Sequence, residues 1–237
     1  MARLPEGRDA FDLEGEAARY LARVVRVRPG EHVTATDGRG ALVTLEILES
    51  RPVVRARAIA FERRTRGSRL ELWCGAPEGD RGDWLVEKLA ELGVATFVPV
   101  SFRRGAWEPT AARLERWERL AVAALRQSRS AFRMEIAPAL PLERALAGIG
   151  EPDARWVCEQ RVAPGPPVVT APGRTVAVVG PSSGFDDDEL KSLSDGGFVG
   201  VLLAGQRLRT ETAALAAAAR WAGLDAAGSV PAPDAGS

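Results

Sequence analysis

Val43, Leu45 and Ile47 alternate with Thr44 and Glu46. A period of two places the three apolar side chains on one face, which predicts a half-buried strand. Val54, Ala56 and Ala58 alternate in the same way with Val53, Arg55 and Arg57. Glu31–Thr36 is a further strand candidate, entered through the Arg28-Pro29-Gly30 turn. Asp37-Gly38-Arg39-Gly40 reads as a hairpin turn, because glycine supplies the positive φ that such turns need. The first stretch is therefore a small β-rich unit that fits a barrel. The run Arg63 to Ser68 reads as a linker between this unit and the rest of the chain.

Beyond the linker the pattern changes to strands alternating with helices. Leu70–Gly75 is strand-like, and Leu85, Leu89 and Leu92 mark a helix over Asp80–Leu92, closed by Gly93. Ala95–Val100 is the next strand. Leu114, Trp117, Leu120, Ala124 and Leu125 line one side of a long helix over Pro109–Ser128. The Pro-, Gly- and Ala-rich stretch 137–174 reads as mostly irregular, with Arg155–Cys158 a short strand candidate. Thr175–Val179 is a buried strand, and Asp186–Glu189 open a helix at its positive end. Phe198–Leu203 is the last strand, Ala204–Arg209 a loop and Thr210–Trp221 an Ala-rich helix. The alternation predicts an α/β fold, a parallel sheet with helices on both faces.

Composition narrows the chemistry. Lys+Arg and Asp+Glu both number 32 in 237 residues, so no whole-molecule field draws the chain to nucleic acid, and any basic site is local. Charge is uneven along the sequence. Segment 100–133 holds eight Arg (103, 104, 113, 116, 119, 126, 129, 133) and three Glu (108, 115, 118), net +5. Residues 1–68 hold thirteen basic and ten acidic residues, net +3. Cys74 and Cys158 are too few for a disulfide framework or a four-thiolate zinc site and read as buried hydrophobes in a reducing compartment. The single histidine, His32, opens a strand, which disfavours a Ser-His-Asp hydrolase, and no metal site is expected. No apolar run reaches membrane-spanning length, and the acidic N-terminus does not read as a signal peptide. The expectation is a soluble, cytoplasmic protein without membrane contact.

Two strand–loop–helix junctions remain as candidate sites, since ligands of open parallel sheets bind beyond the carboxyl ends of strands. The first is Gly180-Pro181-Ser182-Ser183-Gly184. It lacks the Gly-Lys-Ser/Thr of a phosphate loop and the G-x-G-x-x-G of a dinucleotide loop, so ATP and NAD lose their usual signals. Its glycines let the backbone approach a ligand closely or, in the other reading, merely serve the turning of the connection after a strand. The second is Gln206-Arg207-Leu208-Arg209-Thr210-Glu211-Thr212, where Thr210 or a neighbour is a candidate helix cap. Capping leaves unexplained two arginines at the mouth of the sheet.

The ordered set of motifs resembles the RsmE-type 16S ribosomal RNA uracil-N3 methyltransferases of the SPOUT class. The set comprises Asp80 to Val94, Val98 to Arg104, Arg116-Trp117, Arg126-Gln127-Ser128, Gly180 to Phe185, Glu189 and Leu208 to Ala213. Tyr20 to Arg26 and Arg28-Pro29-Gly30 resemble the opening of that family's PUA-like barrel. The resemblance implies an N-terminal PUA-like β-barrel over 1–67 and a parallel-sheet SPOUT domain with a deep trefoil knot over 68–224. A disordered tail is expected over 225–237. It further implies S-adenosyl-L-methionine as cofactor, a homodimer, and 16S rRNA of the small ribosomal subunit as partner. Ser182 and Ser183 stand where the family usually has Glu and Gly, Ala204 where it has Gly, and Ser130 where it has Arg.

In this reading the cofactor is held by Gly180, Pro181, Ser182, Gly184, Leu203, Ala204, Gly205, Leu208, Thr210 and Thr212. N3 of uracil carries a proton, so transfer needs that proton removed or the imide anion stabilised. Arg209 is assigned to the nucleotide or the developing charge, and Glu211 to proton acceptance or, equally, to a first-turn helix acid. Arg23, Arg26, Arg103, Arg104 and Arg129 are the RNA-contact candidates, with the Arg103-Arg104 pair foremost. Ser183 is expected to obstruct the cofactor, so that Ser183→Gly tightens binding. Two other readings stay open: an RNA-binding SPOUT protein with weakened or lost transfer, motivated by the serine substitutions, and a small-molecule α/β enzyme using the same crevice.

Overall fold

A computed structural model describes residues 9–165 and 173–229. The chain divides into two units, 1–66 and 67–237.

In the first unit β1 (Ala10–Asp12), β2 (His32–Thr36), β3 (Ala41–Glu49) and β4 (Arg55–Arg63) form an antiparallel sheet in the order β1-β4-β3-β2. The alternation seen in the sequence becomes a face: Val43, Leu45, Ile47, Val54, Ala56 and Ala58 are all buried in one cluster with Val27. The segment between β1 and β2 is not β. It forms helix α1 (Gly15–Tyr20), continued by a wide turn over Leu21–Val25. Arg63, placed in the linker by sequence, ends β4 instead, and the Arg64 amide donates to the Gly40 carbonyl at 2.8 Å.

The second unit is a parallel sheet of seven strands. They are β5 (Arg69–Cys74), β6 (Thr96–Ser101), β7 (Glu135–Ile136), β8 (Leu140–Pro141), β9 (Ala154–Val157), β10 (Arg174–Val179) and β11 (Val199–Gly200). The order is β11-β9-β10-β5-β6-β7, with β8 also on β6. Period-two burial sorts the strand residues to two covers. Leu70, Leu72, Cys74, Phe97, Ala177 and Val179 pack against α2 (Gly82–Glu91), α3 (Ala111–Ser128) and α6 (Thr210–Ser229). Trp73, Val98, Val100, Val176 and Val178 pack against α4 (Leu142–Ala147) and α5 (Asp187–Asp195). Burial on both faces is why these strands read as continuous apolar runs.

Three expectations are corrected. The stretch after residue 137 holds β8 and α4, whose Leu142 and Ala145 are buried. Six residues with two core contacts are too short for a helical period to stand out. The last strand is only Val199–Gly200, because the chain from Val201 onward leaves the sheet to line the site. The tail expected to be disordered from 225 is helical through Ser229, since α6 continues past Trp221. Residues 230–237 lie outside the described residues.

The parallel register fixes the site. Val179 sits opposite Cys74 at the carboxyl ends of β10 and β5. Gly75 follows immediately, and a Cβ there would land on the Pro181 backbone nitrogen. Only glycine lets the two chain ends come this close.

Candidate functional site

A cavity of about 640 Å³ opens beyond these strand ends, in the size range of small-molecule sites. The first loop supplies Gly180 to Gly184 and the second Leu203, Ala204, Gln206, Leu208, Arg209, Thr210 and Glu211. Gly205 and Thr212 of the expected set do not line it, and Thr212 is exposed on α6.

The first loop is a compact turn. The Gly184 amide donates to the Pro181 carbonyl at 2.8 Å, and Gly184 takes φ +78°, the left-handed region that glycine adopts without strain. The Ser182 amide donates to the Ala76 carbonyl at 3.2 Å, tying the turn to the end of β5. Gly180 is required for a reason other than the one read from sequence: a Cβ there would meet the Phe185 ring at 2.8 Å. Phe185 is buried and packs edge-on against Phe102 with ring centroids 5.3 Å apart. The glycine thus makes room for the aromatic plug beneath the loop.

Thr210 joins the two loops. Its hydroxyl, 5% exposed, donates to the Gly180 carbonyl at 3.1 Å. The hydroxyl thereby links the two loops across the site, and the Ala213 amide begins the helix on the carbonyl of its neighbour Arg209 at 2.8 Å.

Glu211 is the buried acid of the cavity, 2% exposed. One carboxylate oxygen accepts from the Arg81 guanidinium at the start of α2. The other, Oε2, is buried with no hydrogen-bond partner. An unsatisfied buried acceptor costs about 1–3 kcal/mol, more when charged, so a ligand donor that reached it would gain strongly. Below lie two thiols. Burial pushes the Cys158 thiol up to about 12, and burial, then Cys158 and Glu211, push that of Cys74 higher still. Both are inert neutral side chains at physiological pH.

Four exposed arginines ring the opening: Arg104, Arg161, Arg207 and Arg209. Arg209 faces Glu78 at 3.3 Å, Arg161 donates to the Phe185 carbonyl at 2.8 Å, and Arg207 to the Ser182 carbonyl at 3.5 Å. Sequence reasoning missed the whole wall after β9. There Gln160 donates from Nε2 to the carbonyls of Ala204 (3.3 Å) and Gln206 (3.1 Å) and pins the second loop. No glycine fingerprint or periodicity marks this segment, so only its neighbours in space reveal it.

The remaining RNA candidates separate. Arg103 is spent on acids of α5: its guanidinium lies 2.6 Å from Asp188 and 3.5 Å from Asp186. Of the other arginines in 100–133, Arg113 pairs with Asp80 and Asp83, Arg116 with Asp83 and Arg133 with Glu118. Arg129 closes α3 in the left-handed conformation and is exposed, as is Arg26 in the same conformation after the wide turn of the first unit. Arg23 is exposed on that turn. Among the described residues no group of acids, cysteines or histidine is placed to hold a metal, and no helix is long and apolar enough to cross a membrane.

Comparison with known proteins agrees with this geometry. An RNA methyltransferase PUA domain model matches residues 13–52. The small-subunit ribosomal RNA methyltransferase E of Mycobacterium bovis is 28% identical over 226 residues, covering 90% of this chain and 86% of that protein. The enzyme of the same name from Aquifex aeolicus is 35% identical over 133 residues, 55% of this chain and 58% of its own length. The crystal structure of the Neisseria gonorrhoeae enzyme of that name, bound to S-adenosyl methionine, superposes with a TM-score of 0.80 at 29% identity, covering 94% of this chain and 95% of that one. An RNA methyltransferase domain model matches residues 65–222, more than half of the chain and all of the cavity's lining, and the chain belongs to that family.

Proposed function

We propose that the protein transfers a methyl group from S-adenosyl-L-methionine to N3 of a uridine in 16S rRNA of the small ribosomal subunit, working as a cytoplasmic homodimer. The observation that carries this reading is the cavity itself: two loops locked together by Thr210 and Gly180, over a buried carboxylate with one oxygen unpaired. The fit to the cofactor rests on the cavity's volume of about 640 Å³ and on the loop backbone that lines it. Backbone of Gly180, Pro181, Ser182, Gly184, Leu203 and Ala204, with Leu208, would hold it. The bound cofactor supplies an already activated methyl on a sulfonium.

The protein's share is orientation and charge. N3 of uracil would take that methyl and must give up its proton, which is where this chain's residues act. Arg209 sits at the rim, where its guanidinium exchanges Glu78 for the substrate and stabilises negative charge on the imide. Glu211 receives the N3 proton on Oε2, directly or through water, while Arg81 holds the carboxylate in place. Arg23, Arg26 and Arg129 are assigned to backbone phosphates. The test is mass spectrometry of small-subunit RNA after incubation with the methyl donor, paired with calorimetry of donor binding. One added methyl on uracil N3 is the expected result. Binding of NAD or ATP without binding of the donor overturns the reading.

A further inference from the structure

The turn after β6 carries two adjacent arginines with opposite roles. Arg103 is an anchor. Its guanidinium lies on Asp188 and Asp186, and its amide donates to Glu189 Oε1 at 2.7 Å. Glu189 is buried, and its second oxygen accepts from the Asp186 amide at 2.8 Å, so both oxygens are committed. Gly105 closes the turn, its amide and carbonyl paired with Phe102 at 3.1 Å each way. A Cβ at Gly105 would meet the Pro181 ring at 2.7 Å, so the turn lies flat against the first cofactor loop.

Arg104 is left with its side chain at the cavity. Among the described residues its guanidinium has no hydrogen-bond or ion-pair partner, unlike Arg161, Arg207 and Arg209 on the same rim. What fixes Arg104 is its backbone: the Ser183 hydroxyl donates to the Arg104 carbonyl at 2.7 Å. Ser183 lies in the loop assigned to the cofactor, where the sequence pattern made it an obstruction. The hydroxyl is engaged sideways, with the turn.

We propose that Ser183 is a positioning residue for RNA: it holds the Arg103–Gly105 turn against the cofactor loop, so that the free guanidinium of Arg104 meets a phosphate flanking the target nucleotide. This rests on the proposed methyl transfer to RNA and deepens it. A free, exposed arginine anchored only through its main chain gains most from such a clamp, because the bond restricts where the guanidinium can travel before RNA arrives. The loop that lines the cavity is thus the loop that aims the arginine.

The experiment uses the full chain with unmodified small subunits. Ser183→Ala is expected to raise KM for RNA about fivefold, the scale of one neutral hydrogen bond, with the effect absent from kcat. Calorimetry should find donor affinity within about twofold of the parent. Ser183→Thr, which keeps the hydroxyl, should restore KM. Arg104→Ala should weaken RNA binding about tenfold and lower its salt slope by about one. Adding Ser183→Ala to Arg104→Ala should then cost little more, because both act through one contact. Additive losses, an unchanged KM in Ser183→Ala, or tighter donor binding by Ser183→Gly overturns the inference while leaving the parent's activity standing. A parent protein that does not methylate small-subunit RNA overturns both.

Discussion

The floor and the rim of the cavity are built on opposite principles. The floor is buried and fixed: Thr210 and Glu211 are 5% and 2% exposed, and each is tied to a distant part of the chain. The rim is four exposed arginines: Arg161 is held by Phe185, Asp187 and Glu159, Arg207 and Arg209 by one contact each, and Arg104 by none at its guanidinium. Buried groups are preorganised and lose little entropy when a ligand arrives, which suits recognition of one small molecule. Exposed arginines adapt and trade solvent for phosphate, which suits a long polyanion. Substitutions in the floor should therefore act on chemistry or stability, and those in the rim on RNA.

The largest effect is expected at the floor acid. Glu211→Gln keeps the shape and removes the charge, and should slow single-turnover methyl transfer by about a hundredfold or more, the range of general acid–base catalysis. Transfer at the parent rate would make Glu211 a structural partner of Arg81. Arg209→Ala crosses the comparison from the rim: transfer at saturating RNA should fall about a hundredfold, close to 3 kcal/mol, with donor affinity nearly unchanged. Loss of donor binding together with activity would move Arg209 into the floor. Thr210→Val leaves the buried Gly180 carbonyl without its donor and should lower stability by about 2 kcal/mol in urea denaturation. A stability loss below about 0.5 kcal/mol would mean that the two loops hold each other by packing alone. The smallest effect concerns the thiols. With Cys158 pushed up to about 12 and Cys74 pushed up too, neither forms thiolate near pH 8. Alkylation of the native protein should be negligible and should appear on unfolding. Rapid native-state labelling of Cys74, which is buried, would show that the floor opens; Cys158 lines the cavity and is only partly buried.

Much of this is legible in local patterns. The alternation of Val43, Leu45 and Ile47 survives as a buried face because the side-chain period of a strand is fixed at two. The two loops are legible as Gly- and Arg-bearing junctions after strands. The backbone reason for Gly180 is not, since it depends on where Phe185 folds back. Nor is the pairing of Glu211 with Arg81, separated by 130 residues. Gln160 carries no motif at all, yet it pins the second loop through two carbonyls. Arg103 and Arg104 look identical in sequence. The acids of α5 divide them, and that division exists only once α5 has packed beside the turn.

The pairing of β5 with β10 has a further consequence, in time. Arg69 opposes Arg174 and Cys74 opposes Val179, so the two strands that seat the site are made about a hundred residues apart. Closing so long a loop must precede any reward from the contact, and parallel pairings of this kind form slowly. During synthesis β5, α2, β6 and α3 emerge before β10, with the sheet edge that will receive it still bare. The crevice comes into being only after the second loop and the start of α6 have been made, since its lining runs to Ala213. The protein thus acquires its ability to act on RNA only once segments from both halves of this unit have met.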